Sequence, residues 1–311
     1  MGCVVVAEFV DAVEARVSAT WRDYYELTKP KVVALLVFTA IVGMVLAAPP
    51  AQVPWNALIF GSIGIALASA AAAAINQMVD RQVDARMART SGRPLPQGVI
   101  DTPHAVVFAG GIGLLGLGML WWLVNPLTAW LTFLSLIGYA FIYTLYLKRA
   151  TPQNIVIGGA AGAAPPVLGW TAVTNSIDPH ALLLFLIIFV WTPPHFWALA
   201  IHRREEYAEV NIPMLPVTHG VVFTQVQILL YTVLLVAVSL LPFALQMAGM
   251  MYLVGVMALN AGFLYYAIKL RWSADASIPM KAFGYSITYL MGVFGLLLLD
   301  HYLPLVQLLW S

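Results

Sequence analysis

Long apolar segments recur along the whole chain and constrain its fold more than any other feature of the sequence. A helix that crosses the hydrocarbon core of a bilayer needs about 20 consecutive, mostly apolar residues. Only 9% of the residues are charged, whereas a soluble domain carries about 25%, so water could not solvate the surface of this chain. The sequence therefore predicts an all-α, polytopic integral membrane protein with one membrane-embedded domain over residues 1–311. Nine segments qualify as spans, the fifth of them interrupted by glycines and prolines: Val32–Ala48, Trp55–Ile75, Ala105–Val124, Leu127–Leu147, Ile155–Val173, Ala181–Ala200, Val221–Met247, Met251–Leu270 and Tyr285–Leu305.

The basic residues lie on one side of this predicted topology. All 15 Lys and Arg residues fall at the N-terminus or in alternate loops, whereas the opposite loops, around residues 49–54, 125–126, 174–180 and 246–249, contain none. The positive-inside rule makes the charged side cytoplasmic. The N-terminus is then predicted to be cytoplasmic and the C-terminus to lie on the other side. The net charge of only +1 gives no reason to expect nucleic acid as a partner, and the single Cys3 excludes an internal disulfide.

Three polar segments border the predicted spans. Residues 1–30 mix acidic and apolar side chains and fit neither a secretory signal nor a mitochondrial presequence, so they are predicted to form a short interfacial helix before the first span. Residues 79–104 and 202–220 are the longest polar stretches, and both lie on the predicted cytoplasmic side. Each is rich in charged residues and proline rather than in glycine and serine, which favours a folded lid or site over a flexible linker.

Asn76, Asp80 and Asp84 recur every four residues where the first polar stretch begins. On a continuing helix this spacing places them along one face, spread over roughly 12 Å. Oxygen ligands on a regular scaffold suit Mg²⁺, which is usually held by one or two carboxylates together with substrate phosphates. The alternative for any one carboxylate is a solvated helix end. However, carboxylates at the mouth of a membrane span are costly unless they serve a function, and the row is predicted to bind metal.

Arginines follow this row of oxygen ligands. Guanidinium groups bind phosphate oxygens in bidentate fashion, and acidic groups beside them are what a diphosphate held through a metal ion requires. The alternative is that the positive-inside rule alone accounts for basic residues here. The candidate diphosphate-binding residues are Arg81, Arg89 and Arg93, with Arg203 in the second polar stretch.

Further polar candidates lie near the ends of the fourth and sixth spans. Lys148 and Arg149 end the fourth span, where the helix dipole and snorkelling would by themselves explain two cations. His195 follows two prolines in the sixth span, where an opened backbone lets a polar side chain point inward, although a hydrogen bond to a neighbouring helix would explain it equally well. His202 and Glu206 follow at spacings of seven and four residues, which keeps all three near one helical face.

These residues resemble the UbiA-type intramembrane prenyltransferases. The spacing Asn76-x3-Asp80-x3-Asp84 in a nine-helix protein is similar to the first signature shared across that family. Many members carry a second Asp-x3-Asp signature, where this chain has His202-x3-Glu206, so only one clear carboxylate is left in the second half. Further stretches resemble the branch of the family that farnesylates haem: Met87-x-Arg89-Thr90-x2-Arg93-Pro94-Leu95-Pro96, Tyr143-x4-Lys148-Arg149-x2-Pro152-x-Asn154-Ile155-x2-Gly158-Gly159, Gly162-Ala163-x-Pro165-Pro166-x2-Gly169-Trp170, Pro194-His195-Phe196 and Asn211-Ile212-Pro213-Met214-Leu215-Pro216.

The resemblance implies a UbiA-type helical bundle that acts as a membrane farnesyltransferase. Farnesyl diphosphate would bind with its diphosphate at the cytoplasmic mouth, and Mg²⁺ would stabilise the leaving group. A vinyl group of haem b, which is a substrate and not a cofactor, would accept the farnesyl chain, and water addition would give haem O. His195 is the candidate for orienting haem. The residues implied in catalysis are Asn76, Asp80, Asp84, Lys148, Arg149, His195 and Glu206, and the implied metal ligands are Asn76, Asp80, Asp84 and Glu206.

The resemblance also implies a location in the inner membrane of a bacterium. A downstream haem-modifying membrane enzyme or a terminal oxidase assembly is the further partner that it suggests. Two alternatives stay open: a relative that prenylates an aromatic or quinone precursor, and a membrane transporter, since polar residues near the ends of broken helices also line transport paths. Against the transporter, nearly all the charge lies on one side, and no chain of polar groups crosses the bilayer.

Overall fold

Helices make up most of the computed structural model, which describes the backbone of residues 19–310 and the side chains of residues 19–303. No strand occurs in this described part. Residues 1–18 of the predicted interfacial segment, with Cys3, lie outside it. Two π-helical stretches, Ala57–Gly61 and Gly138–Leu147, and a final turn, Lys148–Ala150, continue neighbouring helices. The helices α1 to α13 are Trp21–Leu27, Pro30–Leu46, Ser62–Asp84, Thr102–Leu123, Pro126–Ile137, Asn154–Ala163, Pro165–Thr174, Pro179–His202, Arg204–Glu209, Leu215–Thr218, Val221–Ala244, Met250–Trp272 and Ile278–Trp310.

The spans predicted from the sequence are confirmed. Eight helical stretches among the described residues are long and apolar enough to cross a membrane. The number is nine if α1 and α2, a pair bent by 56°, together form one span. Val107, Leu114 and Trp122 are 75%, 75% and 81% exposed. Large apolar side chains in such positions fit helix faces that contact lipid, because water would not tolerate so much apolar surface.

The fifth span is broken, as its glycines and prolines indicate. Its two halves, α6 and α7, meet at Ala164. The second half packs directly on α2: a Cβ added to Gly169 would lie 1.9 Å from the carbonyl oxygen of Ala40, and one added to Gly43 would lie 2.2 Å from that of Pro166. Helices approach each other so closely in lipid only where side chains are absent, so these glycines set the position of α7.

α8 is the central helix of the bundle. In the most apolar stretch of α8, which is 18 residues long, 67% of the residues are buried. The helix packs against α6, α7, α11 and α13. Together with α7, α11, α12 and α13 it encloses the largest apolar core, which includes Trp191, Tyr252 and Phe294. A polar side chain on α8 is therefore held at the centre of the protein by neighbours on several sides.

The two polar stretches pack together at one end of the bundle. α3 continues to Asp84, past the predicted end of its span at Ile75. Met87 of the first stretch shares an apolar cluster with Tyr207 and Met214 of the second. The two stretches therefore form one folded unit at the ends of α3 and α8, which agrees with the prediction of a folded lid or site.

Candidate active site

One face of α3 carries three oxygen-bearing side chains in register. Because α3 is continuous to Asp84, the four-residue spacing places Asn76, Asp80 and Asp84 on the same face. Their exposed fractions are only 5%, 3% and 5%. Nδ2 of Asn76 donates to Oδ2 of Asp80 at 3.0 Å. The alternative of a solvated helix end therefore does not describe these residues.

Each acidic side chain of the candidate site is paired with a cation. A buried carboxylate without a counter-charge is strongly destabilising, and these cations supply the counter-charges. Two of the three pairs join α3 to another part of the chain, and the third spans one turn at the start of α9. The pairs are Asp80 with Lys148, 2.6 Å between Oδ2 and Nζ, Asp84 with Arg93, 2.5 Å between Oδ2 and Nη1, and Glu206 with Arg203.

The π-helical stretch before Lys148 brings this residue to the site. A π-helix winds more loosely than an α-helix and changes the direction of the side chains that follow it, and such segments are frequent at functional sites. Thr144 donates to the carbonyl of Tyr139, five residues earlier, at 2.7 Å. Its hydroxyl also accepts from Nδ2 of Asn76 at 3.1 Å. The unusual winding thus ties the fourth span to the row of oxygen ligands on α3.

Lys29 is a site residue that the sequence patterns did not single out. Its Nζ donates to Oδ1 of Asn76. Its backbone is left-handed, with φ at 52°, although it directly precedes Pro30, where an extended conformation is normal. Strain of this kind collects at functional sites. The available signal was a lysine and a proline just before the first span, and the positive-inside rule had already explained the lysine.

The predicted basic residues take different positions. Arg93 and Arg203 reach the acids of the site, as Lys148 does. Arg81, Arg89 and Arg149 are exposed, and Arg81 donates a long hydrogen bond of 3.4 Å to the hydroxyl of Thr102. Arg149 has no ion pair within the part of the chain that the structure describes. The structure therefore brings two of the predicted arginines into contact with the carboxylates and leaves three at the edge.

Tyr207 connects the two polar stretches. It is buried beside Met87 in their shared apolar cluster, and it lies within electrostatic reach of Arg89 and Glu206. Burial raises the pKa of the Tyr207 hydroxyl above its ordinary value. The group therefore stays protonated at neutral pH and can donate a hydrogen bond to an anion in the site.

The acidic side chains do not form a complete metal cage by themselves. Within the described residues no group of three or more His, Cys, Asp or Glu side chains converges on one metal position. However, Oδ1 of Asp80 and Oε2 of Glu206 are buried without a hydrogen-bond partner there. Buried polar atoms are normally satisfied, so unsatisfied carboxylate oxygens fit the role of metal ligands. The residues fit an Mg²⁺ ion that takes its remaining ligands from a diphosphate and water.

His195 lies deeper in the bundle, about 10 Å along α8 from the helix end at His202. Its ring stacks between Trp191 and Phe283, with 4.2 and 4.5 Å between ring centroids. Its Nδ1 lies 2.6 Å from Oγ of Ser286 on α13. The hydrogen bond to a neighbouring helix, which the sequence left open as an alternative, is therefore present. It uses one of the two ring nitrogens.

The mouth of this helical membrane bundle holds a buried row of two acids and one amide, and cations face the row. The model of the UbiA prenyltransferase family matches residues 36–297. The chain therefore belongs to the UbiA prenyltransferase family and is a membrane prenyltransferase.

Several curated relatives are similar over nearly their whole length. The chain is 59% identical over 287 residues to the protoheme IX farnesyltransferase of Hahella chejuensis, covering 92% of this chain and 96% of the relative. It is 60% identical over 285 residues to that of Saccharophagus degradans, covering 92% and 94%. It is 62% identical over 283 residues to protoheme IX farnesyltransferase 2 of Pseudoalteromonas atlantica, covering 91% and 92%.

Solved structures share the fold at low sequence identity. A structure of digeranylgeranylglyceryl phosphate synthase is 19% identical and matches with a TM-score of 0.74, over 90% of this chain and 98% of that chain. A UbiA homolog from Archaeoglobus fulgidus bound to DMAPP and Mg²⁺ is 17% identical, with a TM-score of 0.62 over 88% and 99%. These similarities confirm the UbiA-type helical bundle.

Proposed function

We propose that the protein transfers the farnesyl group of farnesyl diphosphate to a vinyl group of haem b, giving haem O and diphosphate. The observation that carries the proposal is the buried row Asn76–Asp80–Asp84, faced by Lys29, Lys148 and Arg93. The identity of about 60% to relatives named protoheme IX farnesyltransferase supports haem as the acceptor.

The cations of the site would bind the departing diphosphate. Lys148 and Arg93 already lie at hydrogen-bond distance from carboxylate oxygens, so a small movement of each side chain would bring it to a phosphate oxygen. Charged donors fixed in a poorly hydrated site stabilise developing negative charge strongly. Mg²⁺ held by Asn76, Asp80, Asp84 and Glu206 would supply the same stabilisation as a Lewis acid. The assignment of these four ligands stays a proposal.

The interior of the bundle would protect the carbocation. When the allylic C–O bond breaks, the farnesyl chain carries the positive charge and the diphosphate keeps the electron pair. The terminal carbon of the haem vinyl group attacks the cation, and water then adds to the carbon next to the porphyrin ring and releases a proton. Exclusion of water from the first cation prevents hydrolysis to farnesol. The apolar core around α8, with side chains such as Trp191 and Phe294, suits this requirement.

The proposed location is the inner membrane of a bacterium, with the two polar stretches and the N-terminus on the cytoplasmic side. The positive-inside rule supports this orientation, because every Lys and Arg lies on that side of the nine-span topology. Farnesyl diphosphate is charged and would then reach the site from the cytoplasm, whereas haem b would enter from the bilayer. On the same proposal, residues 1–311 form a single membrane-embedded domain. A downstream haem-modifying membrane enzyme or a terminal oxidase assembly would be its further partner.

The test is conversion of haem b by the purified protein in lipid nanodiscs. Farnesyl diphosphate, haem b and Mg²⁺ are expected to yield haem O by mass spectrometry and an equal amount of diphosphate. Asp80→Asn should lose this activity, whereas Asp275→Asn, the same change at an exposed aspartate near Lys281, should retain it. Diphosphate release that does not depend on haem, or farnesylation of a phenolic precursor in its place, would contradict the proposal.

A further inference from the structure

The hydroxyl of Ser286 determines the tautomer of His195. Ser286 is fully buried on α13, and its Oγ lies 2.6 Å from both the carbonyl oxygen of Phe283 and Nδ1 of His195. A carbonyl can only accept, and a serine hydroxyl has a single proton to donate. The hydroxyl therefore donates to Phe283 and accepts from His195. It follows that the neutral imidazole carries its proton on Nδ1 and a lone pair on Nε2.

The same serine also fixes the orientation of the ring. The backbone carbonyl of Ser286 accepts a hydrogen bond of 2.7 Å from Nε1 of Trp191, and Trp191 covers one face of His195. Phe283, three residues before Ser286, covers the other face. A flat ligand therefore cannot stack on this ring. Phe196 packs perpendicular to the ring, with 4.8 Å between ring centroids. Nε2 has no hydrogen-bond partner among the residues the structure describes, so its lone pair is the polar group of this ring that is left for a ligand.

We propose that Ser286 is a positioning residue that presents the Nε2 lone pair of His195 to the iron of the haem acceptor. Histidines that bind metals nearly always donate their other ring N–H to a protein acceptor, which fixes the tautomer and raises the basicity of the ligand. The His195 imidazole donates to the Ser286 hydroxyl, which in turn donates to the Phe283 carbonyl, and this hydrogen-bond series has the same arrangement. Coordination of the iron by Nε2 would hold the haem at the edge of the imidazole and not against its face. The inference rests on the proposed function, since it takes haem as the acceptor.

The experiment is a titration of purified protein with ferric haem b, without farnesyl diphosphate, followed by absorption spectroscopy. His195→Ala should remove the spectral signature of imidazole ligation. Ser286→Ala should weaken haem affinity by about 10- to 100-fold, the usual effect of losing the hydrogen-bond partner of a metal ligand, and should shift the Soret band. Ser286→Thr keeps the hydroxyl and should restore both. Thr232→Val removes a buried hydroxyl that, among the described residues, donates to the carbonyl of Ile228 and makes no other hydrogen bond, and it serves as the matched control.

The outcomes separate this inference from the proposed function. If Ser286→Ala binds haem with wild-type affinity and spectrum, the positioning role is refuted, even where the wild type makes haem O. If the serine variants do not fold, resonance Raman spectroscopy of the ferrous wild type decides, because absence of an iron–histidine stretching band overturns the proposal. If the band is present and depends on Ser286 but no haem O forms, the coordination stands and the proposed reaction fails.

Discussion

The pair of Asp80 and Lys148 allows the structural and the catalytic role of one contact to be separated. The two groups lie 2.6 Å apart, and their side chains are only 4% and 15% exposed. Asp80→Asn and Lys148→Met each remove one charge with little change in volume, and the double variant removes both. Stability and activity are expected to respond differently to these three changes.

The single variants should lose stability because each leaves one buried charge without its partner. Breaking a buried pair in this way costs about 3–5 kcal/mol of unfolding free energy. The double variant leaves no unpaired charge, so it should be more stable than either single variant. The coupling energy of the pair should then be larger than the loss in each single variant, which means more than about 3–5 kcal/mol. Activity should not recover. On the proposed function, each single change removes a group that would act on the diphosphate, with an expected loss of about 10²- to 10³-fold in kcat, and the double variant lacks both groups.

Unfolding in mixed micelles titrated with SDS would give the free energies, and haem O formation in nanodiscs would give kcat. The catalytic interpretation predicts a double variant that is nearly as stable as the wild type and inactive. A double variant that regains activity together with stability would refute it, because the pair would then be a structural contact between α3 and the fourth span. Unchanged stability in both single variants would refute the estimate of the buried-pair energy.

Further changes test neighbouring features. Arg93→Lys keeps the positive charge but loses the planar guanidinium fork. We expect kcat/KM for farnesyl diphosphate, measured by steady-state kinetics, to fall about 10- to 100-fold, with Arg204→Ala as an exposed control. Lys29→Met should raise KM for farnesyl diphosphate without altering haem binding in a spectral titration; an equal effect on both substrates would contradict a role at the diphosphate. Gly169→Ala should destabilise the protein by about 1–3 kcal/mol or more in the SDS titration, whereas Gly162→Ala, where a Cβ meets nothing within 4 Å, should not. Mg²⁺ and inorganic diphosphate should raise the thermal unfolding temperature together but hardly at all separately, and a full shift from Mg²⁺ alone would contradict the shared site.

The sequence predicted those parts of the structure that depend on local pattern. Apolar length predicted the spans, and glycines and prolines predicted the break that the structure places at Ala164. The four-residue spacing of Asn76, Asp80 and Asp84 required a helix longer than the apolar segment alone, and α3 does continue to Asp84. In each case residues close in the chain determine the outcome, because helical periodicity is a local property.

Contacts between distant residues could not be predicted in this way. Lys29 contacts Asn76, which lies 47 residues further along the sequence, and His195 contacts Ser286, which lies 91 residues further. Ser286 stands in an apolar span without a motif around it, and a buried serine on a helix usually bonds only its own backbone. The π-helical winding before Lys148 left no local signal either, since its sequence is that of an ordinary apolar span. The partners of the site residues therefore had to come from the packing of the helices.

The charges of the site suggest why metal and diphosphate belong together there. Without substrate, the carboxylates of Asp80, Asp84 and Glu206 are paired with Lys148, Arg93 and Arg203. An Mg²⁺ ion alone would bring unbalanced positive charge into a region of low dielectric, where such charge is costly. A diphosphate alone would bring unbalanced negative charge in the same way, whereas each would offset much of the charge of the other when both are bound. On the proposed function, the residues around α3 would therefore favour the metal–diphosphate complex over either component, and the binding of Mg²⁺ would be coupled to that of the prenyl donor.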